Sequence, residues 1–287
     1  IEGSAIATVI AQTIALSVQI HHYTSKSSFL RFHRRSLRFK RPIVTAIISI
    51  GMAPFLLNVC ASLVTRFMNT ALLKYGGTGE MDIISAATFD GNVGDIYVGA
   101  YGIMNRVILL FIMVANGFNQ GMQPIVGYNY GAKNYARVRK AVYMTICCGV
   151  AIATLGFLLS ETIPHLIARA FVDSSQGGDD QLIVNAAAQG MRLVMIMFPL
   201  VGFQIVVGGF FQYIGKAPLA IFVSLTRQLL FLLPLLWFVP RELGAFGVWI
   251  SMPMADTASI LLAIILFVLQ IRTIKRMEQQ QNLIKRV

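Results

Sequence analysis

Residues 97–126 read YVGAYGIMNRVILLFIMVANGFNQGMQPIV, a stretch with one basic residue, Arg106, and no acid. At about 1.5 Å per residue, roughly 20 apolar residues cross the hydrocarbon core of a bilayer as an α-helix. This run is long enough to do so with residues to spare. It predicts a transmembrane helix, long enough to tilt, kink or extend past the bilayer.

Outward from it lie comparable runs at roughly 3–20, 43–72, 141–160, 184–211, 217–238 and 245–270, about seven in all. The 287 residues are 56% hydrophobic and 13% charged, with mean hydropathy +0.69. A soluble domain averages roughly 25% charged residues, so this chain has too little polar surface to cover itself in water. The expected fold class is an all-α integral membrane protein with about seven transmembrane helices and the lipid bilayer as its surroundings. The net charge of +12 does not indicate nucleic acid, because the basic residues sit between apolar runs rather than in a basic, aromatic-rich soluble domain.

The connecting segments alternate in charge. Segment 21–42 carries Lys26, Arg31, Arg34, Arg35, Arg38, Lys40 and Arg41 without an acid, and 127–140 carries Lys133, Arg137, Arg139 and Lys140. Lys216 and the tail from Arg272 continue the pattern. Segments 73–96 and 161–183 instead hold Glu80, Asp82, Asp90 and Asp95, then Glu161, Asp173, Asp179 and Asp180. Lys and Arg mark the cytoplasmic side. The expected arrangement is multi-pass in the cell (inner) membrane, with the N-terminal end of the chain outside and the C-terminus cytoplasmic.

No enzyme signature is present: no Gly-Lys-Ser/Thr phosphate loop, no His-Glu-x-x-His helix and no Gly-x-Ser-x-Gly elbow. Cys60, Cys147 and Cys148 lie in apolar runs and show neither disulfide nor metal spacing. No catalytic, cofactor-binding or metal residue is expected.

Ionisable groups inside a membrane are costly and are functional candidates by default. Counting along the runs puts Arg66, Arg106, Arg192 and Asp256 in one depth band, while Arg227 has an uncertain helix boundary. Asp256 is therefore expected to pair with an arginine, Arg106 first and Arg66 next. Two readings stay open: a switchable pair in a water-filled vestibule, or a structural bridge with snorkelling arginines. Uncharged polar residues recur on the same helices. Asn58, Ser62, Asn69, Asn116, Asn119, Gln120, Gln123 and Gln204 each suit an interhelical hydrogen bond, and together they suit a cavity wall. Small-residue stripes, Ala7/Ala11/Ala15 and Ala255/Ser259/Ala263, suit close helix packing.

The run from Asn116 to Lys133, with Gln123, Pro124, Gly127, Asn129, Gly131 and Ala132 at its centre, resembles the inner end of the eighth helix of the multidrug and toxic compound extrusion (MATE) family. Asn69-Thr70-Ala71-Leu72 with Tyr75-Gly76-Gly77 resembles the end of that family's seventh helix. Gly215-Lys216, Arg227-Gln228 and Pro253-Met254-Ala255-Asp256 resemble its tenth to twelfth. The resemblance implies that 1–20 is the last helix of an N-terminal lobe, 21–42 a basic cytoplasmic interlobe linker, 43–270 a six-helix C-lobe and 271–287 a basic tail. It implies an antiporter exporting drugs or organic cations, driven by Na+ or H+ entry, whose other lobe lies outside this chain. Two further readings stay open: a related flippase of lipid-linked oligosaccharides, and a seven-helix receptor. Gly127 and Gly131 are expected to permit a tight turn at the helix end.

Overall fold

The computed structural model describes residues 2–24, 40–84, 91–172 and 179–284. Its helices are α1 (Glu2–Thr24), α2 (Arg41–Tyr75), α3 (Val93–Gly131), α4 (Tyr135–Thr162), α5 (Pro164–Arg169), α6 (Asp179–Met195), α7 (Phe198–Tyr213), α8 (Ala217–Leu225) and α9 (Leu233–Ile284). A π-helical turn, Thr226–Leu232, joins α8 to α9. There is no strand among the described residues. Most of the expected linker, residues 25–39, lies outside them, as do Asp90 and Asp173.

The chain divides into two compact units, residues 1–51 and 52–287. In the first, two hydroxyls of α1 bond to their own helix. Thr13 donates to the Val9 carbonyl at 2.8 Å and Ser17 to the Thr13 carbonyl at 2.8 Å. A polar side chain in an apolar helix is satisfied this way without a partner helix. Ala7, Ala11 and Ala15 are exposed within this unit.

In the second unit, four stretches among the described residues are long and apolar enough to cross a membrane: Phe55–Tyr75, Val93–Gly131, Tyr135–Thr162 and Pro218–Gln281. Asp180–Met195 and Phe198–Tyr213 form a further, broken stretch, bent by 57°. The break leaves Pro199 in the first turn of α7, where a missing N–H costs nothing. The longest stretch is also interrupted. Gly244 has φ 63° and ψ −142°, a conformation open to glycine alone, so the chain turns there and starts a second arm at Ala245.

One element departs from expectation. α3 runs straight through Gly127 to Gly131, and the turn that ends it falls on Lys133, at φ 60°. The Asn134 N–H donates to the Asn129 carbonyl at 2.8 Å and the Lys133 N–H to the Tyr130 carbonyl at 3.1 Å. These are the paired bonds of a left-handed helix cap, here built on lysine. Gly215, at φ 80°, builds the same cap after α7, with Lys216 N–H on the Phe211 carbonyl at 2.9 Å. The bonds require one left-handed residue, and the sequence names glycine at only one of the two sites.

Two apolar clusters occupy opposite ends of the bundle. At the Gly244 end, Trp249 is fully buried among Tyr97, Tyr101 and Met191. At the Lys216 end, Phe210, Phe267, Val138 and Ile274 pack together, and Arg139 pairs with Glu278 at 3.0 Å while Lys216 donates to Gln270 at 2.7 Å. Between them, α4 meets α7 so closely that a Cβ on Gly202 would strike the Gly149 carbonyl and the Ala153 methyl. Ala255, Ser259 and Ala263 are buried on α9 as a close-packing stripe requires. Leu110, Met113, Leu155 and Leu261 cover the outside of the bundle and are more than half exposed. That surface suits hydrocarbon and is costly in water.

Candidate functional site: a polar cavity beside a buried ion pair

A cavity of about 470 Å³ opens midway along the second unit. α2 contributes Leu57, Asn58 and Ala61; α3 contributes Ile112, Asn116 and Asn119; α7 contributes Gln204, Ile205, Gly208, Gly209 and Gln212. α8 adds Ala220, Ile221 and Ser224, and the π-helical turn adds Arg227 and Gln228. In an otherwise apolar bundle, seven amide and hydroxyl side chains and one guanidinium converge on this space.

Local structure places them. In the wide turn, Leu233 N–H bonds to the Gln228 carbonyl, five residues back. Such turns put extra residues on one face and recur at functional sites. Here consecutive residues, Arg227 and Gln228, line the same cavity. Asn119, buried on α3, donates to the Ile205 carbonyl of α7 at 3.2 Å. Its amide lies over Gly209, where a Cβ would collide with it. Small residues on α7 thus bring α3 close enough for that bond.

Behind the wall lies Asp256, with a side chain 5% exposed, and Arg227 Nε meets its Oδ1 at 2.6 Å. The Arg227 side chain is 32% exposed. The Ser259 hydroxyl lies within hydrogen-bond distance of both the Asp256 carbonyl, at 3.0 Å, and Gln204 Oε1, at 3.2 Å. Its single proton can go to one of these acceptors at a time, and Gln204 and Arg227 both line the cavity in front of Asp256.

The expected partners of Asp256 are corrected here. It pairs with Arg227, and Arg66, Arg106 and Arg192 are all exposed and make no ion pair among the described residues. Equal depth is not enough, because two helices must also present facing surfaces. The π-helical turn aims Arg227 at α9, and no 3.6-residue periodicity foretells that turn. Arg192 lines a different hollow with His165, Asn185 and Gln189.

Of the expected cavity residues, Asn58, Asn116, Asn119 and Gln204 line the space, whereas Ser62, Asn69, Gln120 and Gln123 do not. The Ser62 hydroxyl donates to the Asn58 carbonyl on its own helix at 3.0 Å, and Gln120 and Gln123 are exposed. Asn129 is buried and donates to the Ile125 carbonyl at 2.8 Å, so this residue of the Gln123–Ala132 run serves helix α3 itself. Sequence reading missed Gln212, Ser224 and Gln228 as cavity residues. Their polarity inside apolar runs was visible; their common face was not. No group of three or more His, Cys, Asp or Glu side chains able to hold a metal occurs among the described residues.

Comparison with known proteins follows the same outline. The MatE family profile matches residues 81–238, more than half of the chain. The multidrug export protein MepA of Staphylococcus saprophyticus is 21% identical over 264 residues, covering 92% of this chain and 53% of MepA. The MATE multidrug transporter DinF-BH, solved as a complex, is 32% identical with TM-score 0.73, over 93% of this chain and 55% of that one. A MATE crystal structure in complex with MaL6 superposes with TM-score 0.79 at 18% identity, over 96% of this chain and 57% of that one. The chain thus spans about half the length of the relatives it matches.

Proposed function

Because the chain belongs to the MatE family, we propose that it supplies one lobe of a two-lobe membrane exporter of drugs and other small organic molecules. The observation that carries this reading is the cavity: about 470 Å³ of amide-lined space inside an apolar bundle. That size falls in the range of small-molecule sites, roughly 300–1,000 Å³. Buried polar groups in a membrane bundle are expensive and collect along substrate paths.

Export is driven by Na+ or H+ entry and acts on drugs or organic cations, in the cell membrane, with the C-terminus cytoplasmic. Charge bias between the connecting segments supports the orientation. A transporter with its binding site at a repeat interface needs both halves, so the second lobe is supplied from outside this chain. A flippase reading has one observation in its favour: the guanidinium of Arg227 on the cavity wall would suit an anionic lipid-linked substrate.

Proteoliposomes test the one-lobe reading. The chain alone should give no dye efflux under a proton or sodium gradient, and the chain joined to a second lobe should give gradient-dependent efflux. Efflux by the chain alone contradicts the reading. Cysteines at Arg137 and His165 should label from opposite faces, Arg137 from the cytoplasm; labelling of both from one face overturns the orientation.

A further inference from the structure

We propose that the cavity is a subsite for an anionic oxygen group, a carboxylate or phosphate, received by Arg227 and held ready for it by Asp256. This deepens the exporter reading and rests on it.

Two observations point to the anionic group, and a third to a donor that must accompany it. First, among the described residues no Asp or Glu lines the cavity, and its single charged wall residue is Arg227. Asp256, the carboxylate paired with that arginine, lies behind the wall with 5% of its side chain exposed. An organic cation entering this space meets amide oxygens and a guanidinium but no free negative charge. Second, the ion pair has an asymmetric exposure. Its shortest contact runs through Nε, the nitrogen nearest the chain. About a third of the side chain is open, and a guanidinium carries five N–H donors, more than the single Nε contact uses. A planar guanidinium with further donors matches carboxylate or phosphate geometry, which a point charge such as lysine does not. Third, polar capacity beside Arg227 is unspent. The Oε1 of Gln228 and the Oδ1 of Asn119 are buried without a hydrogen-bond partner. A buried polar group without a partner is costly. Both atoms are acceptors and would repel an anionic oxygen, so the ligand must carry an N–H or O–H donor beside its anionic group.

Asp256 is then a positioning residue. It fixes the guanidinium from behind the cavity wall through the Nε contact.

Two xanthene dyes of similar size and opposite charge, fluorescein and rhodamine 6G, provide the test, by fluorescence polarisation on the full-length protein in phosphatidylcholine nanodiscs. Fluorescein should bind, and Arg227→Gln should weaken it at least tenfold with rhodamine 6G unchanged. Arg227→Lys should recover only part of the loss, because lysine lacks the fork. Arg227→Gln alone leaves Asp256 without its partner, so the double change Arg227→Gln with Asp256→Asn keeps a neutral, folded pair and should show the same loss. Adding phosphatidylglycerol to the nanodisc separates the two sources of the group: competition with fluorescein assigns it to a lipid phosphate, and no competition assigns it to a soluble anion. Fluorescein binding that is indifferent to Arg227 overturns the proposal. Rhodamine 6G binding without fluorescein binding overturns it while leaving the exporter reading intact, and binding of neither dye overturns both.

Discussion

Two aspartates in this chain solve the problem of a charge among apolar helices in different ways. Asp82 lies at the Gly244 break. Its Oδ1 accepts from the Phe246 N–H at 2.8 Å, and its Oδ2 from the N–H groups of Ala245 and Gly79, each at 3.1 Å. Those first two donors are orphan amides at the start of the second arm of α9, so a loop residue caps a distant helix. Every partner is backbone, and backbone cannot swing away. Asp256 has instead an arginine side chain, itself a third exposed to a cavity. The first arrangement holds two pieces of chain in one geometry. The second leaves one partner able to turn toward a ligand. The contrast teaches that the partner, more than the charge, separates a strut from a site.

That contrast can be broken by mutation. Arg227→Ala should be the most damaging change, because it strands a carboxylate with almost no access to solvent; the loss should be about 3–5 kcal/mol, read as a fall in melting temperature in detergent. Asp256→Asn should cost much less, since Arg227 can turn into the cavity and keep its charge hydrated. Equal losses would make the pair a strut like Asp82.

The clamp at the break should come next. Asp82→Ala removes three backbone N–H bonds and should cost about 2–3 kcal/mol. Gly244→Ala should cost a comparable amount, since its Cβ would enter the space of Gly79 and Asp82 at a positive φ. Normal stability in both variants would remove the clamp from the account.

The smallest effect is expected at Gly208, on the cavity. A Cβ there meets only the Ser224 hydroxyl, at 3.7 Å. Gly208→Ala should stay within about 1 kcal/mol of the parent, the scale of helix propensity alone. A large loss would show that the cavity closes on that residue.

Much of the architecture is legible before any coordinates. The apolar runs at 97–126 and 141–160 lie inside α3 and α4, and the break in 184–211 occurs two residues before Pro199. These features depend on local composition. The π-helical turn at Thr226–Leu232, the left-handed Lys133 and the Asp82 clamp depend on what the chain meets elsewhere. Residues 82 and 245 are far apart in sequence, and nothing in the composition around Asp82 distinguishes a cap from an ordinary loop acid. Asp256 stands out as the lone acid of its run. Its partner was misassigned because depth counts residues along each helix and carries no information about facing.

The central claim is that the amide-lined cavity is part of the export path. Gly208→Leu tests it most directly, because the side chain would grow into that space from a backbone with room for its Cβ. Dye efflux is to be measured in cells making this chain joined to a second lobe, with melting temperature checked alongside. A fall in efflux of at least tenfold at unchanged melting temperature is the predicted result. Parental efflux with the leucine in place would contradict it.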